Sequence, residues 1–208
     1  NGTGIILHTG LGRAPIDNKL ILDSIKKIYP YTNLEFDVKN NSRGERNHHI
    51  DYLFNSILNT ESSLIVNNNA AAVLLILNSL SEKKDVIISR GELVEIGGSF
   101  RIPDIIKKAN CNMVEIGTTN RTHLKDFKNS ISDKTGLIMI AHTSNYKVVG
   151  FTQTVDIKDI VRIAKKKRVP VFLDLGSGAL IDYESYGLPK EKLINEYIKM
   201  GIDIISFS

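Results

Sequence analysis

The chain has 208 residues, 42% of them apolar and 24% charged, which is the balance of a soluble globular protein with a core of its own. No apolar stretch approaches the roughly 20 residues of a bilayer span, and no charged-then-apolar leader opens the sequence. With one cysteine, Cys111, an internal disulfide and a cysteine-rich zinc site are excluded, which suits a reducing cytoplasm. The net charge of +4 permits an anionic partner without requiring one.

In chain order, the first notable segment is NSRGERNHHI, residues 41–50. Arg43 and Arg46 bracket Gly44, and two arginines three residues apart can grip an oxyanion; a solvent-exposed polar loop is the alternative. His48 and His49 are adjacent, so their side chains diverge on a helix or a strand and form no metal pair.

Next comes LIVNNNAAAVLLIL, residues 64–77, in which Asn67, Asn68 and Asn69 separate two apolar runs. The pattern predicts a strand over Leu64–Val66, a polar turn, and a helix opening on small residues. Free N–H groups at such a helix start favour an anion such as phosphate; an ordinary asparagine N-cap is the alternative. The segment is neither GxGxxG nor a P-loop, which disfavours dinucleotide and triphosphate cradles.

Further β-branched runs predict strands at Asp85–Ser89, Met113–Ile116, Leu137–Ala141, Val169–Asp174 and Ile202–Phe207. Between the fourth and fifth of the six, Asp156–Arg168 reads as a helix capped by Asp156, with Ile157, Ile160, Val161 and Ala164 on one face. Its final run, Lys165–Lys166–Lys167–Arg168, complements the helix dipole or contacts RNA. Apolar strands alternating with helices give an α/β fold with a mainly parallel central sheet and helices on both faces. Ligands of such sheets bind beyond the carboxyl ends of the strands.

Two of those ends carry chemistry. After Leu137–Ala141 come His142, Thr143, Ser144 and Asn145. The run VPVFLDLGSGAL ends on Asp174, followed by Gly176, Ser177 and Gly178; a carboxylate there binds a cation, caps a helix, or pairs with a protonated ring nitrogen. A phosphate cup at a helix start, an acid for a pyridine nitrogen and a hydrogen bond to a ring hydroxyl together are the needs of pyridoxal 5'-phosphate (PLP). Asn67–Ala70, Asp174 and Asn145 could meet them.

The runs NGTGIILHTGLGRAP, VNNNAAAVLLILNSL, SRGELVEIGGSFRIPDI, EIGTTNRTHLKDF, HTSNYKVVGFT and DLGSGAL, spread over the whole chain, resemble the bacterial selenocysteine synthases, or L-seryl-tRNA(Sec) selenium transferases. The resemblance implies the large domain of a fold-type I PLP enzyme, aspartate-aminotransferase-like, with a seven-stranded sheet. It implies a phosphate cup of Asn68, Asn69 and Ala70, with Asp174 on the pyridine nitrogen and Asn145 on the ring hydroxyl. Ile96, Gly97 and Gly98 would lie over the ring, and Ser206 would join the cofactor site. Arg43 and Arg46 would hold the selenium donor, although Glu45 stands between them where the family commonly has serine. The implied reaction replaces the serine hydroxyl of seryl-tRNA(Sec) with selenium from selenophosphate, with His142 or His49 as the general acid.

The same resemblance makes residues 1–208 an incomplete core domain. The Schiff-base lysine is expected just beyond Ser208, and an N-terminal tRNA-binding domain and a C-terminal small domain are expected elsewhere. The fragment alone would then be inactive, and the enzyme a dimer or ring of dimers. A PLP lyase or transferase acting on a free small substrate, and a noncatalytic homologue, are the competing readings.

Overall fold

The computed structural model describes residues 11, 14–93, 95–96, 100–143, 146 and 148–208. The chain divides into two compact units, Asn1–Tyr52 and Leu53–Ser208.

In the first unit, helix α1 (Asn18–Ile28) starts at Asp17, whose side chain accepts the N–H of Lys19. A two-residue antiparallel ladder follows, β1 (Phe36–Asp37) with β2 (Ser42–Arg43). Asp37 ties their connection by accepting the N–H groups of Lys39 and Asn40. Helix α2 (His48–Leu58) runs from this unit into the next.

The second unit begins with α3 (Asn69–Ser81) and β3 (Asp85–Ser89), followed by a single 3-10 turn, Arg90–Glu92. A small antiparallel pair, β4 (Glu95–Ile96) and β5 (Phe100–Arg101), leads into α4 (Ile102–Lys108). Then come β6 (Asn112–Ile116), α5 (Leu124–Ser130), β7 (Thr135–Ala141), α6 (Ile157–Lys167), β8 (Val171–Asp174), α7 (Ile194–Lys199) and β9 (Ile204–Ser206). Strands β6, β3, β7, β8 and β9 pair in that order, all parallel.

Alternation along the strands explains why both faces are covered. Val86, Ile88, Leu137, Met139 and Phe172 point to one side and pack with Val73 and Leu77 of α3 and Ile102 and Ile106 of α4. Ile87, Ile138, Ile140, Val171 and Leu173 point to the other, against Phe127 of α5, Ile160, Val161 and Ala164 of α6, and Ile194 and Tyr197 of α7. Burying an aliphatic side chain of this size contributes roughly 1.5–3 kcal/mol, so the strands read as apolar throughout. Helix α6 matches its sequence pattern: Asp156 accepts the N–H of Lys158, and Arg168 ends it in the left-handed conformation.

One expected strand is absent. Among the described residues Leu64–Val66 pairs with no strand, and Leu64 is 54% and Ile65 48% exposed. β-branched composition makes a strand only where a neighbour supplies a ladder, and the five parallel strands take none here. The five compare with the seven that the resemblance implies for the whole sheet. Two strands are also shorter than their apolar runs. The carbonyl of Pro170 accepts the N–H of Ile138 just ahead of β8, and the Asp203 carboxylate takes the N–H of Val171.

Candidate active site

The carboxyl ends of β7, β8 and β9 are in register, with Ala141 opposite Asp174 and Asp174 opposite Ser206. Asp174 is therefore held between β7 and β9 at the sheet's carboxyl edge and is 5% exposed. Its Oδ1 accepts three hydrogen bonds: from Asn69 Nδ2 at 2.7 Å, from the Gly176 N–H at 3.1 Å and from Ser206 Oγ at 3.2 Å. Donors converging on one oxygen orient the carboxylate and leave Oδ2 without a partner among the described residues. Gly178 closes the turn that follows. Its φ is +72°, and a Cβ there would lie 2.9 Å from Cβ of Phe207.

The asparagine run supplies the other side of this cluster. Asn68 is the N-cap of α3 and accepts the Ala71 N–H through its side chain at 2.9 Å. The Ala72 N–H bonds to the Asn68 carbonyl, so the N–H groups of Asn69 and Ala70 precede the first helical hydrogen bond. Asn69 reaches Asp174 across 105 residues of sequence. Its own Oδ1 is buried and has no hydrogen-bond partner among the described residues. An orphaned buried acceptor costs free energy and marks a place where a polar group belongs. Asn68, Asn69, Ala70, Asp174 and Ser206 thus come together. Gly97 and Asn145, with Gly98, lie outside the described residues, as does the Ile96 side chain.

Beside the cluster, a cavity of about 310 Å³ opens at the ends of β3, β6 and β7; its polar lining includes Glu92, Arg121, Thr122, His142, Thr143 and Gln153. The His142 N–H donates to the Asp174 carbonyl at 2.8 Å, and its Nε2 stands 3.9 Å from Oε1 of Glu191. Ser89 Oγ and Thr122 Oγ1 share a buried hydrogen bond of 2.6 Å. Glu92 Oε2 accepts the Ala141 N–H at 3.1 Å. Withdrawal from water pushes the Glu92 carboxyl up to about 8, and the single N–H only partly offsets this. The sequence alone assigns Glu92 no role. The available signal is its place in the turn that follows a parallel strand, close to the rule that singles out His142 and Asp174.

The remaining candidates belong to the first unit. Arg43 and Arg46 both turn to Glu35: Arg46 Nε lies 2.6 Å from Oε1, and Arg43 Nη2 lies 3.6 Å from Oε2. With Gly44, Glu45 and Asn47 they line an open hollow of about 280 Å³. His49 Nε2 lies 3.1 Å from the Asn33 carbonyl, so it is tied within that unit.

Across residues 1–208 the chain matches the family described as SelA, L-seryl-tRNA selenium transferase. It is 48% identical over 208 residues to the L-seryl-tRNA(Sec) selenium transferase of Clostridium perfringens, and 46% identical over 209 residues to that of Carboxydothermus hydrogenoformans. All of this chain is matched in each case, against 45% of the relative, so the chain spans about half the length of the curated relatives it matches. Among solved structures it is similar in fold to a D-glucosaminate-6-phosphate ammonia-lyase, with a TM-score of 0.72 at 14% identity over 95% of this chain and 51% of that one. A serine palmitoyltransferase from S. paucimobilis with bound PLP and myriocin gives a TM-score of 0.56 at 16% identity, covering 89% of this chain and 46% of that one. The chain belongs to the L-seryl-tRNA selenium transferase family.

Proposed function

We infer that this chain is the PLP-binding core of an enzyme that converts seryl-tRNA(Sec) to selenocysteinyl-tRNA(Sec), with selenophosphate as the selenium donor. The observation that carries the reading is the Asp174 cluster: a buried, pre-oriented carboxylate beside a helix start and an orphaned buried amide oxygen, Asn69 Oδ1. The residues fit the cofactor. Asp174 would hold its pyridine nitrogen protonated, the N–H groups of Asn69 and Ala70 with the Asn68 turn would hold its phosphate, and Ser206 would fix Asp174 from behind. We assign Asn145 to the ring hydroxyl and Gly97 to the loop above the ring. When bound, PLP supplies an electron sink for charge developing at the serine α-carbon.

Other residues of the chain take further roles. Expelling hydroxide demands a proton, and of the two histidines His142 lines the cavity beside Asp174, whereas His49 is tied to Asn33. Arg43 and Arg46 would receive the oxyanion of selenophosphate, displacing Glu35. We further propose a homo-oligomer working in the cytoplasm, with its tRNA-binding and small domains outside this core. Among the described residues no helix is long and apolar enough to cross a membrane.

The test uses the full-length protein. The PLP-loaded protein should form selenocysteinyl-tRNA from seryl-tRNA(Sec) and selenophosphate, and Asp174→Ala should lose PLP on desalting, read by its visible absorbance. A PLP-loaded protein that forms no selenocysteinyl-tRNA overturns the reading.

A further inference from the structure

We propose that Glu92 is the proton donor of the cavity, giving its carboxyl hydrogen to the oxygen that leaves the serine side chain. The proposal rests on the transferase reading above and keeps Asp174 and the phosphate cup, but it moves the proton-donor role from His142 to Glu92.

Position comes first. Glu92 ends the single turn that follows β3, yet its carboxyl reaches the end of β7 and takes the Ala141 N–H at 3.1 Å. Ala141 is the register partner of Asp174, so this carboxyl is anchored one strand from the acid assigned to the pyridine nitrogen. The turn is fixed from two sides. A Cβ on Gly91 would lie 2.7 Å from the Thr119 carbonyl, so only glycine lets β3's exit run this close to the chain after β6. From the other side the Tyr146 hydroxyl donates to the Gly91 carbonyl at 3.3 Å.

Chemistry comes second. Glu92 makes no ion pair among the described residues, is only partly exposed, and lines the cavity. Its proton therefore stays on at neutral pH, as the value of about 8 expresses, while the group remains acidic enough to release it. The titratable neighbours are His142, Arg121 and Tyr197 around the same cavity, and Tyr146, whose hydroxyl is pushed up by its own desolvation and then by Glu92's charge. His142 already faces the Glu191 carboxylate, whereas Glu92 makes no ion pair among the described residues.

The step balances. The serine Cβ–O bond breaks, its electron pair stays on oxygen, the Glu92 proton joins that oxygen, and water leaves. The companion α-proton goes to the reaction's base, the electron pair of its bond ends as the second bond between Cα and Cβ, and the Glu92 carboxylate is reprotonated from solvent before the next turnover.

Glu92→Gln in the full-length, PLP-loaded protein isolates this role, because glutamine keeps the shape and still accepts the Ala141 N–H but has no acidic proton. Turnover of seryl-tRNA(Sec) should fall by about 100-fold or more. A tRNA charged with β-chloroalanine, whose chloride leaves unprotonated, should react as in the unmodified protein. Infrared difference spectra should show a carboxylic acid carbonyl band at pH 7 that titrates near 8 and is missing in Glu92→Gln; this readout needs no turnover. Equal losses on both substrates, undiminished turnover of seryl-tRNA, or no such band overturns the proposal. If the unmodified protein is active and the variant equally so, only the proton-donor role fails. If the unmodified protein makes no selenocysteinyl-tRNA, the transferase reading fails and takes this role with it.

Discussion

The two places where this chain meets charge are built in opposite ways. At the sheet edge Asp174 is 5% exposed and three donors fix one of its oxygens. In the loop around Gly44 the arginine side chains are 86% and 70% exposed and share one acceptor, Glu35. Removing a partner from the buried cluster strands a desolvated group, at a cost of about 1–3 kcal/mol. Removing a partner from the exposed cluster returns groups to water, and such pairs are worth about 0–1 kcal/mol. The edge is therefore a preformed socket, while the loop can exchange one anion for another at little cost in stability.

The largest expected effect lies behind the socket. Phe172 sits two residues before Asp174 and is wholly buried. Phe172→Ala should cost about 3–5 kcal/mol in denaturant unfolding of the full-length protein; a cost below about 1 kcal/mol would mean that β8 is not the rigid support the comparison assumes. The second effect concerns pH. Glu92 has a folded value near 8, above its ordinary 4.5, so folding retains a proton that the unfolded chain has released between those values. Its contribution to stability thus declines as pH rises from about 4.5 through 8 and stays lowered above that. Glu92→Gln should flatten that decline, gaining on the order of 3 kcal/mol at pH 9 relative to pH 4. Parallel pH profiles for the two proteins would show that the carboxyl is solvated.

These two regions were unequally legible in the sequence. The parallel sheet, helix α6 with its Asp156 cap, and the placing of Asp174 and His142 at strand ends followed from apolar runs and their spacing, because burial on both faces forces that pattern. The asparagine run was read as a helix opening, which it is, but as the end of a buried strand, which it is not. Propensity cannot report whether Leu64–Val66 has a neighbour to pair with. Nor could spacing reveal that Asn69 donates to Asp174, a contact between residues 105 apart in sequence. Glu92 escapes the sequence for a related reason: a glutamate after Arg90 and Gly91 reads as a solvated turn, and its desolvation exists only once β7 packs against β3. In the arginine loop the sequence displayed both cations and concealed their internal acceptor, Glu35.

The Asn69–Asp174 contact makes a third test sharper than an ordinary cup mutation. Asn69→Asp would replace a 2.7 Å hydrogen bond by two carboxylates sharing one space. Mutual repulsion would raise the folded-state value of one of them above its unfolded value. The penalty, about 1–3 kcal/mol, is then fully present above the raised value and disappears as pH falls below the unfolded one. Unfolding at pH 7 and pH 4 separates this from a packing defect, which acidification would not relieve. PLP retention should weaken in the same variant, since a second negative charge would face the phosphate.

The smallest effect on stability, and the most informative about the loop, comes from Glu35→Gln. Glu35 engages both arginines at once, so in this conformation any incoming oxyanion must displace a carboxylate already in place. Glu45 lines the same hollow and adds a second negative charge. Glutamine removes one charge while keeping an acceptor. Folding stability should change by less than about 1 kcal/mol, whereas affinity for sulfate or selenophosphate should rise by about fivefold at low salt, the equivalent of about 1 kcal/mol. Calorimetric titration of the full-length protein at 0.1 M and 1 M ionic strength tests both halves, because exposed charges are screened as the Debye length shrinks from about 10 Å to about 3 Å. A gain that fades with salt identifies an exchangeable anion grip. A loss of anion affinity, or a stability cost comparable to that of Phe172→Ala, would instead make Glu35 a fixed brace of the loop, and the contrast between a rigid socket and an adaptable grip would collapse into two rigid sites.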